Sequence, residues 1–138
     1  TVGCPRNCAE ATVKDIGLIG IEGGWQVVVG GAAGKSVRKA DLLVTVETTE
    51  QALEASEIFF QYYREQANYL ERTYDFVERL GIEKVRKDTV YAPETVRQAL
   101  LDRLRKSKAK ATDAWLEGRE PRTAAQFEPL RAMETLTV

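Results

Sequence analysis

The chain has 138 residues, 43% hydrophobic and 30% charged, with 20 basic against 21 acidic side chains and a formal net charge of −1. That is enough chain for one domain with a real core, and the balanced charge gives no global pull toward nucleic acid or an anionic membrane. Histidine is absent, which removes the commonest general acid/base and metal ligand and with it the usual Ser/His/Asp and zinc hydrolases.

The chain opens Thr1-Val2-Gly3-Cys4-Pro5-Arg6-Asn7-Cys8-Ala9-Glu10, a stretch that holds both cysteines of the sequence. Pro5 presets φ for a tight turn, and Asn7 tolerates the left-handed conformation such turns often need. Residues 9–14 read as one or two turns of helix, which places Cys8 at or near a helix start. Free N–H groups and the positive dipole end there favour a thiolate or an anionic cluster. Two thiolates on one tight loop suit a soft metal centre. Three other readings of the loop stand beside that one. A disulfide over so short a loop would be strained. A zinc site needs two further ligands, which a chain without histidine or a third cysteine does not supply. Two unrelated free thiols is the plainest reading.

Residues 16–22 and 25–29 are short, apolar and β-branched, and Gly23-Gly24 between them reads as the turn of a hairpin. Their near-continuous apolar run predicts burial on both faces. Residues 30–36 end in Gly34-Lys35-Ser36, but Val29 stands where a nucleotide-binding loop needs glycine. The segment reads as a connector, or as a glycine-rich loop that lets backbone approach a ligand. Leu42 to Val46 is a further strand candidate. Thr48 as N-cap with Gln51 three residues on forms a capping box, opening a helix to about Asn68. Its expected apolar stripe is Leu53, Ser56, Phe60 and Tyr63, flanked by Ala52, Ala55, Phe59 and Tyr62. Residues 73–80 predict a short helix closed by Gly81, with Phe76, Val77 and Leu80 inward, and residues 82–90 another helical turn. Pro93 and Glu94 start a last long helix with Val96, Ala99, Leu100, Leu101 and Leu104 on its apolar face. The basic run 103–110 reads as a solvated face or a dock for an acidic partner domain. Trp115 and Leu116 form a final apolar knob, and residues 117–138 an extended tail. Strands early and helices late predict an α+β fold, a small mostly antiparallel sheet covered by helices. No apolar run of 18 residues and no signal segment is read, so the expectation is a cytoplasmic chain with no membrane and no nucleic-acid partner.

Gly3-Cys4-Pro5-Arg6-Asn7-Cys8-Ala9-Glu10 resembles the second cysteine pair of the sirohaem and 4Fe-4S nitrite and sulfite reductases. The likeness continues through Lys14-Asp15-Ile16-Gly17-Leu18-Ile19-Gly20, Gly23-Gly24-Trp25, Phe60-Gln61-Tyr62-Tyr63-Arg64-Glu65 and Glu71-Arg72-Thr73-Tyr74 to about residue 87. Within that family it looks most like the large subunits of assimilatory NAD(P)H-dependent nitrite reductases. The resemblance implies that residues 1–87 are the C-terminal half of a sirohaem and 4Fe-4S domain, followed by a helical extension and tail over 88–138. It implies Cys4 as a cluster ligand and Cys8 as the ligand that bridges the cluster to the sirohaem iron. It places Arg6 and Asn7 against the cofactors, with Arg6 pairing to a carboxylate of the macrocycle and backbone N–H groups facing cluster sulfurs. The family uses an earlier cysteine pair as well, so the expectation is a C-terminal piece of a larger polypeptide, inactive by itself. FAD and NAD(P)H sites would lie upstream. The implied partners are the rest of that polypeptide and a small reductase subunit, with a homo-oligomer of the piece also open. Arg6 departs from the Pro-Asn-Gly of sulfite reductases, and by resemblance this favours nitrite. A sulfite reductase, a ferredoxin-dependent relative and a metal-free structural module remain alternatives.

Overall fold

The computed structural model describes residues 1–110; Trp115, Leu116 and the tail expected over 117–138 lie outside the described residues. The expected hairpin forms as β1 (Ile16–Ile21) and β2 (Gly24–Val29), antiparallel, with Ile16 opposite Val29 and Ile21 opposite Gly24. The turn is Glu22-Gly23, one residue before the Gly-Gly pair. Gly23 takes φ 79°, in the left-handed region that glycine enters without strain. Gly24 instead belongs to the strand, paired with Ile21, at a position where a Cβ would collide with the carbonyl of Val46.

Residues 30–36, read as a connector or a ligand-approaching loop, begin a small antiparallel ribbon of β3 (Ala32–Ala33) and β4 (Val37–Arg38). Gly34-Lys35-Ser36 is the ribbon's turn, and no helix follows it as a phosphate-binding loop requires. Arg38 clamps the ribbon, donating to the Gly30 carbonyl and to Asp41 at 2.7 Å each. The last strand, β5 (Asp41–Val46), pairs antiparallel with β2, giving the order β1-β2-β5 with an irregularity at Val27/Val28.

The expectation of burial on both faces holds for the central strand. Val27, Val28 and Val29 are all buried. Val27 and Val29 join Leu43 and the helices in the main core, whereas Val28 packs with Val2, Ala11, Ile19 and Ala40 in a second cluster.

The helices are α1 (Thr49–Gln66), α2 (Thr73–Leu80), α3 (Ile82–Asp88) and α4 (Glu94–Lys110). The capping box forms as expected: the Gln51 N–H donates to Thr48 Oγ1 at 3.2 Å, and the Thr48 N–H to Gln51 Oε1 at 3.1 Å. The stripe that α1 buries is Ala52, Ala55, Ile58, Phe59 and Tyr62, not the one centred on Leu53 and Phe60, which are 52% and 45% exposed. Two neighbouring apolar stripes run along this helix, and the partner surface chooses between them. Phe60 instead carries the Arg64 guanidinium 5.8 Å above its ring.

Gly81, at φ 81°, closes α2 and opens α3 without a break. Phe76 of α2 is fully buried and meets Tyr62 and Tyr63 edge-on, with ring centroids 5.8 and 5.3 Å away. Each such pair contributes about 0.5–1.5 kcal/mol beyond its area. Leu100, Leu101 and Leu104 of α4 are buried, while Val96 is 43% exposed. The basic run is partly paired within the chain, Arg103 reaching Glu65 at 2.6 and 2.9 Å. A compact unit runs from Thr1 to Lys106, and a second begins at Ser107. The fold is therefore the expected α+β arrangement, a small antiparallel sheet with helices packed on one face. Among the described residues no helix is long and apolar enough to cross a membrane.

Candidate metal-binding site

The face of the sheet away from the helices carries the cysteines. Val2 joins the free edge of β1 as a parallel bridge opposite Ile19. Its N–H donates to the Leu18 carbonyl and its own carbonyl accepts from the Gly20 N–H, both at 2.8 Å. Gly20 lacks a side chain where one would matter: a Cβ there would stand 2.6 Å from the Gly3 carbonyl oxygen. The loop then turns at Cys4-Pro5-Arg6-Asn7, with the Asn7 N–H donating to the Cys4 carbonyl at 3.2 Å. Pro5 occupies the turn position its fixed φ suits. Asn7 sits at φ 55°, the left-handed conformation its side chain tolerates. A second turn follows, in which the Glu10 N–H donates to the Asn7 carbonyl at 2.9 Å.

The helix expected over residues 9–14 shrinks to a 3₁₀ turn, Ala11–Val13. Its cause is Glu10, which takes φ 56° and so cannot belong to a right-handed helix. Cys8 therefore lies three residues ahead of one short turn, not at a helix start, and has no aligned helix dipole to draw on. Both cysteines are free and exposed.

The 3₁₀ turn is fastened to the sheet by backbone on three sides. Ala11 is 2% exposed over Gly17, where an added Cβ would collide with the Ala11 carbonyl. The Ala40 N–H donates to the Thr12 carbonyl at 2.7 Å, and the Gly31 N–H to the Lys14 carbonyl at 3.0 Å. A Cβ on Gly31 would stand 2.8 Å from the Thr12 carbonyl oxygen and from Lys14 backbone atoms. The backbone that the glycine-rich segment lets approach is thus this chain's own. Asp15, just beyond, receives Arg72 at 3.1 Å and the Thr73 hydroxyl, tying the start of β1 to that of α2. Gly31 lay in the glycine-rich segment already read as letting backbone approach, whereas the close-approach role of Gly17 and Gly20 was passed over. Their signal was glycine inside or beside a strand, which marks close approach of another backbone.

The Asn7 N–H, expected to face a cluster sulfur, is engaged by the Cys4 carbonyl. The Asn7 side chain accepts from the Ala11 N–H at 2.7 Å and donates to Thr12 Oγ1 at 2.8 Å. Arg6 is exposed at the tip of the first turn. Beside the loop an open groove of about 630 Å³ runs between Pro5, Asn7 and Thr12 on one side and Gln26, Val28 and Lys39 on the other.

Two exposed thiols on a braced loop are soft donors suited to an iron–sulfur cluster, and they make half of a four-thiolate set. Among the described residues no group of three or more His, Cys, Asp or Glu gathers to hold a metal. The donor set thus fits a cluster whose other ligands come from elsewhere.

The loop and fold define a class: a small α+β domain that presents two free, exposed thiols on one loop. Residues 1–95 match the family described as the nitrite and sulphite reductase 4Fe-4S domain, and the chain belongs to that family. It is 46% identical over 112 residues to the NAD(P)H nitrite reductase of Bacillus subtilis (strain 168), an alignment covering 81% of this chain and 14% of that protein. To the large subunit of the NADH nitrite reductase of Escherichia coli (strain K12) it is 38% identical over 78 residues, 56% of this chain and 9% of that one. An assimilatory-type sulfite reductase of Nitratidesulfovibrio vulgaris is 36% identical over 85 residues, 62% of this chain and 39% of the relative.

Proposed function

We propose that this chain supplies Cys4 and Cys8 to a 4Fe-4S cluster coupled to sirohaem, in an NAD(P)H-dependent nitrite reductase that reduces nitrite to ammonium. The observation that carries the reading is the pair of exposed, free thiols on a loop braced against the sheet, within a chain 46% identical to a nitrite reductase. When bound, such a coupled centre supplies an electron store and a substrate-binding iron. The chain's own residues have narrower tasks. Cys4 and Cys8 would hold the cluster, and Cys8 would also serve the sirohaem iron. Arg6, exposed beside them, pairs with a carboxylate of the macrocycle. Gly17 and Gly31 let the 3₁₀ turn, and Gly20 lets Gly3 at the start of the loop, lie directly against neighbouring backbone.

In this reading residues 1–87 are the second half of the sirohaem and cluster domain, and residues 88–138 an extension of it. The remainder of a longer cytoplasmic polypeptide provides two more thiolates and the FAD and NAD(P)H sites, with a small reductase subunit as a further partner. A second reading, reduction of sulfite, is favoured by the likeness to an assimilatory-type sulfite reductase.

The test is an anaerobic absorption spectrum with iron and sulfide analysis on the full-length polypeptide and its Cys8→Ser variant. Sirohaem bands and cluster iron present in the first and lost in the second are the expected result. A well-folded full-length protein that takes up neither iron nor haem on anaerobic reconstitution would overturn the reading. Turnover with nitrite against sulfite then separates the two substrates.

A further inference from the structure

The geometry points to Asn7 as the positioning residue of the two-thiol loop: its side chain ties the loop to the 3₁₀ turn and sets how Cys4 and Cys8 are jointly presented to a thiophilic metal. The inference rests on the reading that both thiols are metal ligands.

From Gly3 to Glu10, Asn7 alone is drawn in from solvent. It sits where the two consecutive turns join, between the cysteines' own turns, and its φ of 55° lets the chain double back there. The turn bonds of the loop are local, Asn7 to Cys4 and Glu10 to Asn7, and fasten it to nothing outside itself. The outward attachments are at its two ends. On the Cys4 side Val2 is bonded to β1. On the Cys8 side the carboxamide of Asn7 grips Ala11 and Thr12, at 2.7 and 2.8 Å. Both partners are anchored. Ala11 is buried over Gly17, and the Thr12 carbonyl is held by the Ala40 N–H. The Val13 N–H also donates to the Glu10 carbonyl at 3.1 Å, so the carboxamide is the tie that fixes Asn7 itself, between the two cysteines, to the 3₁₀ turn.

Backbone and side-chain requirements at this position can be separated. Asn7→Gly keeps the left-handed conformation and loses both side-chain bonds. Asn7→Asp keeps an acceptor for the Ala11 N–H and can receive the Thr12 hydroxyl, and it also tolerates the left-handed region. The probe is phenylarsine oxide, added anaerobically to the reduced 138-residue chain. Two As–S bonds form, and the arsenic-bound oxygen leaves as water with the two thiol protons, with no change in oxidation state. Affinity is read by competition with ethanedithiol, and folding by the thermal midpoint.

The expected result is one arsenical per wild-type chain, binding weakened roughly tenfold in Asn7→Gly, as loss of two hydrogen bonds implies, and restored in Asn7→Asp, with both variants folded and melting cooperatively and Asn7→Gly lowered by no more than those two bonds explain. Should Asn7→Gly fail to fold, Thr12→Val removes one of the two bonds, keeps Asn7 itself, and is expected to weaken binding about threefold. Wild-type affinity in Asn7→Gly, or in Thr12→Val where that variant replaces it, would overturn the inference, as would an Asn7→Asp chain no better than Asn7→Gly. The probe needs only the two thiols. A full-length protein without a cluster would therefore sink the proposed function and leave this result standing, and the reverse outcome would remove the positioning role alone.

Discussion

Gly17 decides how closely the thiol loop can lie on the sheet. A Cβ at this buried position would meet the Ala11 carbonyl and stand 2.8 Å from Val28 Cγ2. Backbone and a β-branched side chain cannot step aside as the end of a flexible side chain can. Gly17→Ala is expected to cost about 1–3 kcal/mol in urea denaturation, the range for forcing extra volume into a packed site. Gly3→Ala, with nothing within 4 Å of the new methyl, is the control and should fall within about 0.5 kcal/mol of wild type. Equal losses at both positions would show that close approach is not what Gly17 provides. At this scale the sequence was legible where one residue type answers one backbone demand. Asn7 announced its left-handed turn, and Gly81 its helix end. Gly17 and Gly20 were only half legible, because a glycine inside an apolar strand signals a close approach without saying which backbone lies across it.

Among the elements, α1 had the clearest start in the sequence, since Thr48 and Gln51 satisfy each other's backbone reciprocally. Thr48→Ala is expected to lose about 1 kcal/mol by removing the acceptor for the Gln51 N–H. The urea midpoint should fall at unchanged slope, and an unchanged midpoint would mean water serves that N–H equally well. Which side of α1 faces the sheet was less legible. Its period is clear, but Phe59 and Phe60 are adjacent, and only the packing of Phe76, Tyr62 and Tyr63 selects Phe59. The turn after Cys8 was misread for a different reason. Helix propensity over residues 9–14 is ordinary, but the chain must descend from the loop to Gly17, and a left-handed Glu10 makes that descent. Tertiary geometry overrode local preference there.

In the molecule as a whole, Tyr62 bridges parts that are far apart in sequence. Its hydroxyl donates to Asp88 at 2.8 Å, joining α1 to the end of α3. Burial first, then the hydrogen bond to Asp88, push its pKa up to about 12. The fold thus prefers the neutral phenol. The stability this contributes is fully present below the ordinary tyrosine value of about 10 and is lost as pH rises from there through about 12. The wild-type urea midpoint should decline across that window, and Tyr62→Phe should flatten the decline. Tyr63, also raised chiefly by burial, contributes in the same direction. An identical slope in the variant would assign the decline elsewhere. At this scale the early strands and late helices made the α+β class legible, and the cysteine motif made the family legible. The order β1-β2-β5 was not, because the residues that separate β2 from β5 read as a loop and fold as a ribbon.

The bridge that Val2 makes to β1 has a consequence outside metal chemistry. An exposed sheet edge is a template on which another chain can add a strand, and proteins guard such edges. Here the Leu18 carbonyl and the Gly20 N–H are occupied by Val2, and at the opposite edge the Leu42 carbonyl is occupied by the Arg86 guanidinium. The segment that carries the thiols is thus also a guard against self-association. Damage to its anchorage would expose the edge to neighbouring copies at the same time as it released the cysteines.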